Sequence, residues 1–224
     1  MLEIIALTPA DAAAAQAGGA DRLELVADMV SDGLTPSAEV LRDVLSTTDL
    51  PVRVMLRDAP GFAPADPPSL RRAAALLREA GATEFVLGFL GDGGAVDRGA
   101  CADLLAELEG CAWTFHRALD NAADPEAAWP VAVGLGCDTV LAAGSARGVA
   151  EGIPVLERLA ARQAADGVRL LVGGGLKREH VPGLARAGAT SFHVGGAVRA
   201  RGWDGPVSEP LVREWATLVA EARG

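Results

Sequence analysis

The sequence predicts an α/β fold, a closed (β/α)8 barrel of the TIM type, built as a single domain over residues 1–224 with minimal loops. Three observations lead there. A helix end made of small residues, then Asp or Thr, then an apolar strand recurs four times, at Gly19-Ala20-Asp21, Gly81-Ala82-Thr83, Gly136-Cys137-Asp138 and Gly188-Ala189-Thr190. The spacings of 62, 55 and 52 residues are each close to a quarter of the 224-residue chain, and an internal period fixes architecture before any single residue does. Four further apolar strands alternate with these, and each of the eight is followed by a helical stretch, which implies parallel pairing and right-handed crossovers. An open doubly wound sheet is the rival. The near-equal quarters, and the lack of a GxGxxG after the first strand, favour closure.

Taken in order, a strand over 2–7 feeds a helix over 9–17 that Gly18 ends, and a strand over 22–26 feeds a helix over 37–46 opened by Thr35-Pro36-Ser37. The strand over 52–57 leads to a helix over 69–79 with Gly81 at its end, and the strand over 84–88 to a helix over 97–109 closed by Gly110. The strand over 113–117 precedes a helix over 125–134, started by Asp124-Pro125 and ended by Gly134. Strands over 139–143, 169–173 and 191–195 precede helices over 146–165, 178–186 and 209–222, the last opened by Ser208.

Composition narrows the class. Half the residues are hydrophobic, enough for a large core, and the formal net charge of −10 argues against a nucleic-acid partner. No apolar run reaches the roughly 18 residues of a membrane span, and the start lacks a positively charged leader. The expectation is a cytoplasmic protein with no membrane partner. Cys101, Cys111 and Cys137 lack metal-site spacing and read as free thiols.

The four repeats report their own facing. Leu23, Leu25, Phe85, Leu87, Val140, Ala142, Phe192 and Val194 are all apolar and should face the helices. The residues between them must then face the barrel axis, because strand side chains alternate. By the same rule Leu2, Ile4, Val52, Val54, Leu56, Trp113 and Phe115 face outward, while Glu3, Arg53, Met55, Arg57, Thr114 and His116 face inward. A barrel interior is normally filled by branched apolar residues; this one would hold Glu3, Arg22, Glu24, Arg53, Arg57, His116 and His193. Buried charges must pair or bind a ligand. Arg22, Arg53 and Glu84, near strand starts, read as a structural ion-pair network. Glu3, Glu24, His116 and His193 are the catalytic candidates, as acid–base groups. His180, on a helix, reads as a surface residue.

The seventh strand ends in Gly173-Gly174-Gly175 and the eighth in Gly195-Gly196. Loops after these strands commonly hold phosphate in such barrels. Those five glycines, with Arg57 and Arg117, are the anion-binding candidates; a short helix over 196–201 and Arg199 would add to the site.

The residues also carry a resemblance. The run from Gly18 to Leu25, then Gly33-Leu34-Thr35-Pro36-Ser37, Val54-Met55-Leu56-Arg57, Gly88-Phe89-Leu90 with Asp92-Gly93 and Val96-Asp97, Thr114-Phe115-His116-Arg117-Ala118-Leu119-Asp120, Gly173-Gly174-Gly175 and Ser191-Phe192-His193 together resemble the CutC copper-homeostasis family. The resemblance implies a cytosolic TIM barrel, often a homodimer, named for copper handling; it brings no established reaction. Copper is implied by this resemblance alone, and cofactor and metal ligands stay unassigned. Val26 stands where family members carry a cysteine after the second strand's Glu-Leu, and Ile5-Ala6-Leu7 lacks the cysteine of the first strand. Cu(I) prefers thiolate and thioether ligands, so these departures speak against direct Cu(I) binding. The alternative is a metal-independent isomerase or lyase acting on a small phosphorylated or carboxylated metabolite. A Zn or Mn hydrolase using Glu24, His116 and His193, and a purely structural role, complete the range. Lys177 is the only lysine and sits beyond the seventh strand, which disfavours a Schiff-base aldolase.

Overall fold

The computed structural model describes residues 1–222. Eight parallel strands close a barrel in sequence order: β1 (Leu2–Ala6), β2 (Arg22–Leu25), β3 (Val52–Met55), β4 (Glu84–Leu87), β5 (Ala112–Phe115), β6 (Thr139–Ala142), β7 (Arg169–Val172) and β8 (Ser191–Val194). The ring shuts where β1 pairs with β8, with Glu3 opposite His193. Around it lie α1 (Pro9–Gly18), α2 (Ala38–Leu45), α3 (Pro67–Glu79), α4 (Arg98–Leu105), the short α5 (Ala118–Asn121), α6 (Pro125–Gly134), α7 (Val149–Asp166), α8 (Val181–Arg186) and α9 (Glu209–Glu221).

The helices start where local chemistry satisfies their free N–H groups. Thr8 accepts from the Asp11 N–H ahead of α1, Asp66 from Ser69 ahead of α3, Asp97 from Ala100 ahead of α4, and Asp124 from Glu126 and Ala127 ahead of α6.

The core has two layers. The residues expected to face outward join one large apolar cluster between sheet and helices. Inside the barrel, Ile5, Val26, Met55 and Val86 form a separate small cluster with Leu7 and Met29 against it. Much of the remaining interior is polar: Glu3, Arg22, Glu24, Arg53, Thr114, Thr139, Ser191 and His193 are all buried. Arg53 anchors the lower barrel, donating to Glu84 at 2.9 Å, to Thr114 at 2.5 Å and to both oxygens of Asp138 at 2.7 and 2.8 Å.

Where the elements depart from expectation, a long-range contact is the reason. β3 stops at Met55 because Arg57 leaves the ladder: its N–H donates to Thr35 Oγ1, and its carbonyl accepts from the Thr35 N–H, both at 2.9 Å. β5 stops at Phe115 because α5 begins almost at once, a helix missing from the sequence reading. The helix expected over 97–109 is α4 followed by a 3-10 turn, Ala106–Leu108. The helix expected from 146 begins at Val149, whose N–H donates to the Gly174 carbonyl. The short helix expected over 196–201 is a 3-10 turn, Gly196–Val198, followed by a strand, β9 (Ala200–Trp203). His180 is mostly covered rather than a surface residue, and its Nδ1 accepts from the Lys177 N–H. No helix among the described residues is long and apolar enough to cross a membrane.

Candidate functional site

A cavity of about 580 Å3 opens at the C-terminal ends of the strands. Of the catalytic candidates, Glu24, His116 and His193 line it and Glu3 lies beneath; of the anion candidates, Arg57, Arg117, Gly174, Gly175, Gly195 and Gly196 line it. Gly173 does not line it, and its N–H is spent on the Ala142 carbonyl. Its bare Cα makes room for His193, since a Cβ there would lie 2.8 Å from the His193 ring.

At the floor, four charged groups run in a row. Arg22 Nε donates to Glu3 Oε2. Glu3 Oε1 meets His193 Nδ1 at 2.8 Å, and His193 Nε2 lies 3.5 Å from Glu24 Oε2. Burial pushes the Glu3 carboxyl up, but Arg22 and the His193 hydrogen bond outweigh it and hold Glu3 at about 2. Burial dominates at Glu24 and raises it to about 7. Burial also lowers His193, yet the Glu24 charge and the Glu3 hydrogen bond win and raise it overall. Glu24 Oε1 is buried with no partner among the described residues. Glu24 is thus the carboxyl of the floor raised to near neutrality, and Glu3 holds His193 in place.

His116, beyond β5, differs from the acid–base role expected of it. Its Nδ1 accepts the Ala118 N–H at 3.2 Å, so the ring proton sits on Nε2, which is buried and unpartnered. Burial, with help from Arg57 and Arg117, depresses its pKa to about 3. At neutral pH it is a neutral donor on a residue that lines the cavity. The Phe62 ring meets it edge-on at 5.7 Å.

The two arginines are held from behind. Arg57 is 5% exposed and forms no salt bridge among the described residues; the Asp32 charge, also on the cavity wall, opposes the downward push of burial on it. Arg57 donates instead to the carbonyls of Gly61 at 2.9 Å, Asp32 at 2.9 Å, Ser31 at 3.2 Å and Gly33 at 3.4 Å, with Phe62 stacked 5.2 Å away. Arg117 Nε donates to Asp120 at 2.8 Å, and its guanidinium lies across Gly174, where a Cβ would come within 2.5 Å of Nε. Gly174 has φ +89°, a second reason for glycine there. Asp120 also accepts from the N–H groups of Ala143 and Gly144, each at 2.9 Å. Asp120 was missed as a site residue, although it stands three residues after Arg117, an arrangement that signals a local ion pair.

Other expectations find different uses. Arg199 is buried against Asp11 at 2.8 Å and the Ile5 and Gly205 carbonyls, so it ties β9 to α1 rather than facing an anion. Trp215 is buried within the chain, whereas Trp203 is 42% exposed and lines the cavity over Gly195. Lys177 lies outside the cavity lining, beside Glu179. Cys101 and Cys137 are buried, pushed up by burial to about 11 and 12, and no cysteine lines the cavity. Its soft donors are the thioethers of Met29 and Met55. Among the described residues no group of three His, Cys, Asp or Glu is placed to hold a metal.

The CutC family model matches residues 1–198. The chain belongs to the CutC family. Among its CutC relatives, one from Xanthomonas axonopodis pv. citri is 36% identical over 197 residues, covering 86% of this chain and 82% of the relative. The human copper homeostasis protein cutC homolog is 32% identical over 197 residues, covering 86% of this chain and 72% of its own. A crystal structure of a putative copper homeostasis protein CutC from Streptococcus agalactiae superposes with a TM-score of 0.78 at 24% identity, covering 87% of this chain and 97% of that one. At that identity the CutC structure supports the fold. β9, with Trp203, and α9 lie beyond the family match.

The charged floor gives this CutC barrel a defined acid response. Stability falls as pH falls wherever the folded state binds fewer protons than the unfolded chain, and rises as pH falls wherever it binds more. Between pH 6.5 and 4.5 the unfolded chain protonates His116 while the fold does not, and the fold protonates Glu24 while the unfolded chain does not, so the two offset. Below 4.5 Glu24 drops out, and His116 and Glu3 both resist protonation down to about 3 and 2. Thermal midpoints should therefore hold nearly level from pH 6.5 to 4.5 and fall steeply below it. A uniform slope across the whole range contradicts this assignment, and His116→Gln should flatten the lower limb.

Proposed function

We propose that this CutC-family protein is a cytosolic barrel that binds a small anionic metabolite at the mouth of the strands. Its link to copper homeostasis, suggested by the names of its relatives, is indirect. The observation that carries the reading is Arg57: a buried cation gripped by four backbone carbonyls, lining the cavity with no salt bridge among the described residues and only the through-space charge of Asp32 to offset it. An unpaired buried charge costs several kcal/mol, and an incoming phosphate or carboxylate would supply the missing charge. Arg117, His116, Gly174, Gly175, Gly195 and Gly196 line the same cavity. None of those glycine N–H groups has an acceptor among the described residues, which suits them to an anion.

The donor set does not suit Cu(I), which prefers thiolates: the buried thiols lie away from the cavity, and two thioethers make a thin site. Differential scanning fluorimetry with inorganic phosphate, pyruvate and Cu(I) separates the readings. Phosphate or pyruvate should raise the midpoint by mass action. Arg57→Met should weaken that binding roughly 10- to 100-fold, the worth of a charge-assisted hydrogen bond. A midpoint that rises with Cu(I) alone, unchanged by either anion, overturns the proposal.

A further inference from the structure

We propose that the cavity is a catalytic centre for proton transfer at a carbon next to a carbonyl, acting on a small phosphorylated or carboxylated carbonyl compound, with Glu24 moving the proton and His116 hydrogen-bonding the carbonyl oxygen. This rests on the anion-binding reading above and adds chemistry to it.

Two residues of the cavity wall each carry a buried polar atom without a partner among the described residues, and the two atoms are of opposite kind. Glu24 Oε1 is an acceptor and His116 Nε2 is a donor. Glu24 belongs to β2 and His116 follows β5, so three strand positions of the ring separate them and a small molecule can lie between. Arg57 and Arg117 supply positive charge beside His116, on the side where an anion would be held and where negative charge would develop. An unpartnered acceptor and an unpartnered donor backed by cations, on residues that line one cavity, are what enolisation requires: a base for the C–H and a donor for the oxygen.

The step balances without a cofactor. The Glu24 carboxylate takes the proton from the α-carbon. The C–H electron pair becomes the carbon–carbon double bond of an enolate, and the C=O π pair moves onto oxygen. There the His116 Nε2–H and the arginines stabilise it. The Glu24 carboxylic acid then returns the proton to the same carbon or to its neighbour, so nothing is oxidised or reduced. His116 stays neutral throughout, because the Ala118 N–H occupies its Nδ1. His193 is a positioning residue: clamped between Glu3 and Glu24, it fixes the base, and Arg22 fixes Glu3. The single lysine lies outside the cavity lining, so the carbonyl stays a carbonyl rather than an imine.

The test is hydrogen–deuterium exchange by proton NMR in D2O, with dihydroxyacetone phosphate, glyceraldehyde 3-phosphate and pyruvate as probes and scanning fluorimetry run alongside. The expected result is exchange at the α-carbon of at least one probe, 100-fold or more above buffer. Its rate should rise through pH about 7 as Glu24 ionises; the charged groups facing Glu24 are His193, Glu3, Arg22 and Arg53. Glu24→Gln should lower the exchange at least 100-fold while keeping the probe's midpoint shift, and Glu24→Asp should restore part of it. His116→Gln, a variant outside the charged floor, should slow exchange as well and so keeps the test alive if Glu24→Gln does not fold. Probes that shift the midpoint but do not exchange overturn the chemistry and leave the binding reading standing. Full exchange in either folded Gln variant overturns the assigned roles. Neither shift nor exchange with any probe removes both readings.

Discussion

Glu3→Ala should cost the fold about 3–5 kcal/mol, the loss typical when one partner of a buried ion pair is removed. Glu3 is 1% exposed and serves two neighbours at once, Arg22 through Oε2 and His193 through Oε1. Removing it strands a guanidinium that is 4% exposed and already has one terminal nitrogen without a partner. It also opens a space at the seam where β1 closes the barrel against β8. Glu3→Gln keeps the volume and one acceptor but not the charge, and should fall between wild type and alanine. Urea unfolding reads both. A loss below about 1 kcal/mol for alanine, the level of an exposed pair, would show that the floor does not depend on this charge.

Asp120→Ala should be nearly as damaging and should also disable the mouth. The carboxylate is 3% exposed, and burial pushes its pKa above the ordinary value against the pull of Arg117 and two backbone N–H groups. Its loss leaves the N–H groups of Ala143 and Gly144 buried and unmatched, at about 1–3 kcal/mol each. Arg117 loses its anchor in the same change and can swing away from Gly174. The expected result is a lower urea midpoint together with a smaller phosphate-induced rise in thermal midpoint. Asp120→Asn keeps an acceptor for the backbone but weakens the hold on Arg117, so it should spare stability more than binding. If Asp120→Ala matches wild type in both assays, the coupling between β6 and the arginine is not what positions the site.

Much of this site is legible before any coordinates. The facing of Glu3, Glu24 and His193 follows from the apolar residues that alternate with them, because in a strand the side chain's direction is set residue by residue. The glycines after β7 and β8 announce a bare backbone at the right end of the barrel, and four of the five, all but Gly173, keep an N–H without an acceptor among the described residues. Roles are harder. His116 reads as an acid–base histidine in sequence, and only the Ala118 N–H on Nδ1 makes it a neutral donor. Arg199 reads as an anion ligand, yet its partner Asp11 lies 188 residues away.

What the sequence determined by itself is periodic: eight strand–helix units, their order round the barrel, and which side chains turn inward. These follow from the alternation and capping chemistry of each segment, which act over a few residues. What only the tertiary structure decided is pairing: that Arg57 is gripped by the carbonyls of Ser31, Asp32, Gly33 and Gly61, that Asp120 reaches across to the end of β6, and that one oxygen of Glu24 and one nitrogen of His116 have no partner among the described residues. Such partners come from distant parts of the chain and leave no pattern in either segment, so they are settled only when closure of the barrel brings the strand ends to one rim.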